Sequence, residues 1–132
     1  MVLSGHEHNY QRTRPIRFTP TNDAGAKKVN SGNRLVPGKF TVDTRFDGKT
    51  TTKPDGILHI VTGAGGNNLY DRESNENPAK WRHAQDDNVE YVARLISDRH
   101  SLTVVDMDAT SLVFTQIDEK GAEIDQFRIT KV

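Results

Sequence analysis

The sequence predicts a mainly β protein, or α+β at most, and three observations carry this prediction. Three short runs rich in β-branched and aromatic residues are separated by polar turns, as in an antiparallel meander; the runs are residues 102–107, 112–117 and 124–129. Ile124 is out of phase with Phe127 and Ile129, which predicts a β-bulge or burial on both faces of that strand. Proline and glycine interrupt residues 13–56 so often that no long helix fits there.

The most strand-like run, residues 57–62, is predicted to be an interior strand. Its apolar residues lie on both faces, which is typical of a strand covered on both sides, and His59 within it is predicted to be buried and hydrogen-bonded. The following Gly63-Ala64-Gly65-Gly66 lacks the spacing of a nucleotide-binding loop, so it is predicted to be a tight turn. Residues 89–96 fit a strand and a helical period, and their β-branched residues favour a strand.

Less regular segments connect these elements. Residues 17–56 are expected to form a long loop or flap that contains one short strand at 39–44. Trp81 is expected to anchor a small satellite of the core. His83 and His100 are candidate substrate contacts, although exposed histidines without a functional role are common.

Composition excludes several classes of function. Lys plus Arg equals Asp plus Glu, at 18 each, so no overall electrostatic field favours nucleic acid or an anionic membrane surface as a partner. No apolar run approaches the roughly 20 residues that cross a bilayer, so a membrane is not expected as a partner either. The absence of cysteine excludes disulfides, thiolate metal ligands and a cysteine nucleophile, and it leaves the compartment unknown.

The chemistry of the chain is concentrated near its start, in Gly5-His6-Glu7-His8-Asn9-Tyr10-Gln11-Arg12. If residues 2–4 are the end of a strand, His6 and His8 are related by the two-residue period and can point to the same face, with Cα atoms roughly 6.5 Å apart. That spacing suits one imidazole on each of two metal ions held about 3.5–4 Å apart. The plain alternative is a solvated turn that contains two histidines.

The whole block resembles the last conserved block of the calcineurin-like metallophosphoesterases, in particular the purple acid phosphatase-like branch, which reads G-H-x-H-x-Y-x-R. The resemblance implies that His6 binds one metal ion and His8 the other, and that the ions are two of Fe, Zn or Mn. It also implies hydrolysis of a phosphate-ester substrate by a metal-bound hydroxide.

The same resemblance implies roles other than metal binding for four further residues. Tyr10 and Arg12 match the block without being metal ligands in it, and they are expected to orient the loop or shape the substrate cleft. Arg12 is a possible phosphate contact, and a structural ion pair with an aspartate is an equal alternative. Gly65 and Gly66 are expected to shape the cleft beside the metal site.

The resemblance covers only the C-terminal part of the family's catalytic domain. The Gly-Asp and Gly-Asn-His-Glu blocks that carry the other metal ligands are missing, whereas Gly121 to Ile129 resembles the closing strand of that domain. Residues 1–132 are therefore interpreted as a single partial domain, the C-terminal portion of a two-sheet metallophosphoesterase sandwich.

This interpretation carries expectations about behaviour. The isolated chain, with an incomplete metal site, is expected to be inactive, and its unpaired strand edges are expected to cause self-association. The parent enzyme would be exported, as members of that branch usually are. The alternative hypothesis, from another class of function, is a non-catalytic β-rich binding module in which the histidines are solvated.

Overall fold

The computed structural model describes residues 1–23, 27–31, 34–80 and 89–131, and these form a mainly β protein, as predicted. Three short 3₁₀ turns, Arg72–Ser74, Pro78–Lys80 and Val89–Tyr91, are the helical elements of the described ranges. The strands of the described ranges are β1 (Val2–Ser4), β2 (Tyr10–Thr13), β3 (Ile16–Pro20), β4 (Lys27–Ser31), β5 (Arg34–Val42), β6 (His59–Thr62), β7 (Val92–Ile96), β8 (Ser101–Met107), β9 (Ser111–Asp118) and β10 (Glu123–Thr130).

A four-stranded sheet in the order β1-β6-β2-β7 includes Tyr10 to Arg12, the end of the Gly5–Arg12 block. Strand β6 runs parallel to β1 and antiparallel to β2, so residues 57–62 do supply an interior strand. Only one face of β6 is buried: Ile60 is buried and His59 is exposed. The prediction of a buried His59 is wrong, because strict alternation turns it away from the core, and only its backbone N–H is bound, by Thr13 Oγ1.

A three-stranded antiparallel meander, β8-β9-β10, confirms the prediction made for the last third of the chain. The register of β10 against β9 shifts between Glu123 and Asp125, where the phase of Ile124 predicted a bulge. After this shift the register is regular, and alternation places the buried Asp125 and Phe127 on the same face of β10.

The hydrophobic core lies between the four-stranded sheet and the meander. The rings of Phe114 and Phe127 stack with centroids 4.9 Å apart, and Phe46 meets Phe127 edge-on at 6.2 Å. The buried residues of this core are Tyr10, Phe46, Leu58, Ile60, Ile96, Phe114 and Phe127. Strands β2, β6 and β7 therefore share one core with β9 and β10.

A third sheet, in the order β3-β5-β4, occupies much of the segment expected to be a long loop. The strand predicted at 39–44 belongs to β5, which begins earlier, and its Phe40 packs on Phe18 with ring centroids 5.0 Å apart. The expectation of a loop over 17–56 is therefore wrong for its first part and fits residues 43–56, where no strand is found. Antiparallel pairing of β5 with both neighbours supplies the backbone hydrogen bonds that a loop would leave to water.

One outermost strand of each core sheet, β1 in the first and β8 in the second, carries exposed apolar side chains. Leu3 on β1 and Met107 on β8 are both exposed, as are Val2 and Leu102.

Residues 81–88, which include Trp81 and His83, lie outside the described residues. Over the described ranges, no helix has the length and apolar character needed to cross a membrane.

Candidate functional site

The two histidines lie in a tight connection, residues 5–9, between β1 and β2. The two strands flank β6 and run in opposite directions, so this connection reverses the chain beside the end of β6. His6 takes a left-handed conformation with φ of 79°. The strand expected at residues 2–4 is present as β1, but the two-residue period expected to relate His6 and His8 is wrong, because the left-handed conformation at His6 interrupts the extended chain. His6 is exposed and His8 is partly buried.

The His8 side chain is fixed by two contacts to one neighbouring loop. Its Nδ1 lies 2.7 Å from the carbonyl oxygen of Asn68, and its ring stacks on Tyr70 with centroids 4.1 Å apart and an interplanar angle of 14°. A carbonyl can only accept, so Nδ1 carries the proton. The Nε2 lone pair of His8 is then available to a ligand.

The glycine turn after β6 brings this loop against the histidines. The N–H of Gly63 donates to the carbonyl of Asn9 at 3.1 Å. A Cβ at residue 63 would lie 1.9 Å from the carbonyl oxygen of Glu7, so only glycine allows this approach. The close packing predicted for this glycine-rich segment is confirmed at Gly63. Gly65 and Gly66 have open space around them, and their role in shaping a cleft stays a prediction.

His100 approaches the same loop at the adjacent residue. Its Nε2 lies 2.9 Å from the carbonyl oxygen of Asn67, one residue before the carbonyl that binds His8. Two imidazoles thus hold consecutive peptide groups of the loop. A substrate contact by His100 stays a prediction, and its ring is already engaged in positioning the loop.

The side chains of Tyr10 and Arg12 are both held by Asp125 on β10. The Tyr10 hydroxyl donates to Asp125 Oδ2 at 2.7 Å. The Arg12 guanidinium donates from Nε to Oδ2 at 2.6 Å and from Nη2 to Oδ1 at 3.1 Å. Its Cζ lies 5.0 Å from the centroid of the Phe127 ring. We call this group of four side chains the latch.

The electrostatics of the latch favour a neutral tyrosine and a charged arginine. Burial, and then the neighbouring Asp125 carboxylate, raise the pKa of Tyr10 far above its ordinary value. For Arg12, burial lowers the pKa, but the hydrogen bond and charge of Asp125 outweigh it and the pKa is raised. Of the two alternatives left open for Arg12, the structure has the aspartate pair. A phosphate contact would require this pair to open.

Asp125 is the residue that sequence reasoning missed. The resemblance included it in the closing strand but gave it no role. The available signal was an aspartate two residues before Phe127 in a strand of the core sheet, because a buried carboxylate needs a cationic or hydrogen-bonding partner. Which residue supplies that partner is decided by the tertiary fold, across 113 positions of sequence between Arg12 and Asp125.

The residues of the histidine loop fit part of a metal site. His8 offers a free ring nitrogen, and the exposed His6 ring makes no hydrogen bond or ion pair within the described part of the chain. A catalytic zinc-type site takes about three protein ligands per ion. In the described ranges, no three or more side chains of His, Cys, Asp or Glu are grouped so that they could hold an ion. No protein-family model, curated protein or solved structure matches this chain.

Proposed function

We propose that this chain contributes the histidine loop of a binuclear metallophosphoesterase of the purple acid phosphatase-like kind, which hydrolyses phosphate esters. The observation that carries the proposal is the fixed tautomer and orientation of the His8 ring. Its Nδ1–H is bound to a backbone carbonyl, and metal-ligating histidines almost always donate their second ring N–H in this way. A histidine that merely faces water has no need of a fixed tautomer and a stacked ring.

In this proposal His6 and His8 each ligate one of two ions of Fe, Zn or Mn. The ions, when bound, supply Lewis acidity toward the phosphoryl oxygens and lower the pKa of a coordinated water. The chain's own residues orient the histidines. The Asn68 carbonyl fixes the tautomer of His8, and the latch holds strand β2, which directly follows the histidine loop. The remaining ligands come from sequence blocks that this chain lacks, so the chain alone is expected to be inactive.

The metal role is tested by titrating the purified chain with Zn²⁺ in a calorimeter. We expect heat of binding in the wild-type chain and its loss in His6→Ala/His8→Ala. His59→Ala is the matched control, because His59 is exposed on the sheet face and its ring makes no described contact. Equal binding by the wild type and the double variant would contradict the metal role.

The inactivity of the isolated chain is a separate expectation. We expect no Zn²⁺- or Mn²⁺-dependent hydrolysis of p-nitrophenyl phosphate above the buffer rate. Robust hydrolysis that disappears in His6→Ala/His8→Ala would show that the chain carries a sufficient ligand set, and would overturn this part of the proposal.

A further inference from the structure

The ring of Tyr70 stacks on that of His8, and nothing in the Gly5–Arg12 block points to Tyr70. The two rings are close to parallel at a centroid distance of 4.1 Å, although Tyr70 is 43% exposed and contributes little to the core. The backbone N–H of Tyr70 also donates to the carbonyl of His8 at 3.2 Å. The two residues are therefore joined through both their rings and their main chains.

The main chain on both sides of this stack is held in an uncommon conformation. His6, two residues before His8, has φ of 79°, and Asp71, directly after Tyr70, has φ of 48°. Non-glycine residues persist in the left-handed region when the surrounding structure holds them there, and such residues cluster at functional sites. The carbonyl of Asp71 accepts from the Oγ of the fully buried Ser97 at 2.9 Å. This bond anchors Tyr70 to the end of β7.

The hydrogen bond to Asn68 alone does not fix the His8 ring. One Nδ1–H···O contact leaves the imidazole free to swing about that bond, whereas a parallel ring against its face also fixes its plane. The direction of the Nε2 lone pair depends on both constraints. Tyr70 supplies the second one.

We propose that Tyr70 is a positioning residue for His8: it fixes the plane of the imidazole so that Nδ1–H stays on the Asn68 carbonyl, which would leave Nε2 for a metal ion. This inference rests on the proposed function for the identity of the ligand, but the orientation of the ring is independent of it. Residues that orient a metal-ligating histidine typically contribute a factor of about 10–100 in metal affinity.

The experiment compares Tyr70→Leu, Tyr70→Phe and Tyr91→Leu in the whole chain. Tyr70→Phe keeps an aromatic face and serves as the conservative rescue, and Tyr91 is an exposed tyrosine just before β7, near the opposite end of β2 from His8. Two readouts are taken without any activity assay: the ¹⁵N shifts of the His8 ring, which report the tautomer, and Zn²⁺ affinity by calorimetry.

We expect the Nδ1–H tautomer in the wild type, Tyr70→Phe and Tyr91→Leu, and a mixture of tautomers in Tyr70→Leu with Zn²⁺ affinity reduced about 10–100-fold. An unchanged tautomer and affinity in Tyr70→Leu would overturn the inference, as would equal losses in Tyr70→Phe. If the wild type binds no Zn²⁺, the proposed metal role fails, and the tautomer of Tyr70→Leu then decides the positioning role by itself.

Discussion

Removing the Asp125 carboxylate is the most informative perturbation of this fold. Its side chain is 5% exposed and that of Arg12 is 12% exposed, so the pair is close to fully desolvated. In Asp125→Ala the Arg12 guanidinium loses its anion and the Tyr10 hydroxyl loses its acceptor, while both stay in the core.

The magnitude follows from these contacts. Breaking a buried ion pair by removing one partner typically destabilises a protein by about 3–5 kcal/mol, and an unsatisfied buried hydroxyl adds about 1 kcal/mol or more. Because Arg12 retains a little exposure, water relieves part of this penalty, and we expect Asp125→Ala to lower the free energy of unfolding by about 4 kcal/mol. For a domain of ordinary stability this is a large fraction of the total.

Urea unfolding followed by circular dichroism measures the loss. Asp106→Ala, an exposed aspartate on β8 of the same sheet, is the control and should change stability by no more than about 0.5 kcal/mol. The triple variant Tyr10→Phe/Arg12→Met/Asp125→Leu removes every polar member of the latch together, and should recover most of the loss. A decrease below about 1 kcal/mol in Asp125→Ala, or a triple variant no more stable than it, would refute the reasoning.

Three further predictions concern the latch, the glycine turn and the outer strands. Because the pKa of Tyr10 is raised in the folded chain, the unfolded chain loses the phenolic proton first, above about pH 10, and the free energy of unfolding falls as pH rises from there. Thermal unfolding measured against pH should show a shallower fall in Tyr10→Phe. Gly63→Ala places a methyl group against the Glu7 carbonyl and should destabilise by about 1–3 kcal/mol in urea, whereas Gly65→Ala, in open space, should be nearly neutral. Light scattering should give a mass above one chain at high concentration, and Met107→Lys on the outer strand β8 should lower it; a single-chain mass for the wild type would contradict this.

The meander could be predicted because its determinants are local. Each of its strands carries its own β-branched and aromatic residues, and Asp118 at the end of β9 accepts from the backbone N–H groups of Lys120 and Ala122 in the turn that follows. The third sheet could not be predicted in the same way. Pro37 and Gly38 lie inside its central strand β5, and both residue types normally argue against a central strand.

Only those parts of the candidate site whose residues are neighbours in sequence could be predicted. The histidines and the glycine turn are short motifs, and their residue types could be read directly. Their geometry could not, because the contacts of His8 with Asn68 and of Tyr10 with Asp125 join residues 60 and 115 positions apart. A single sequence does not say which distant residues meet.

The long span of the latch also has a kinetic consequence. Closing a flexible loop of 115 residues costs about 4 kcal/mol in chain entropy by the usual logarithmic estimate, far more than closing the hairpins of β8, β9 and β10. During synthesis, Arg12 can pair with Asp125 only after the 113 positions that separate them have been made. We expect the meander to form early and the latch late, so that Asp125→Ala mainly accelerates unfolding in stopped-flow kinetics while substitutions in the Asp118 turn slow folding.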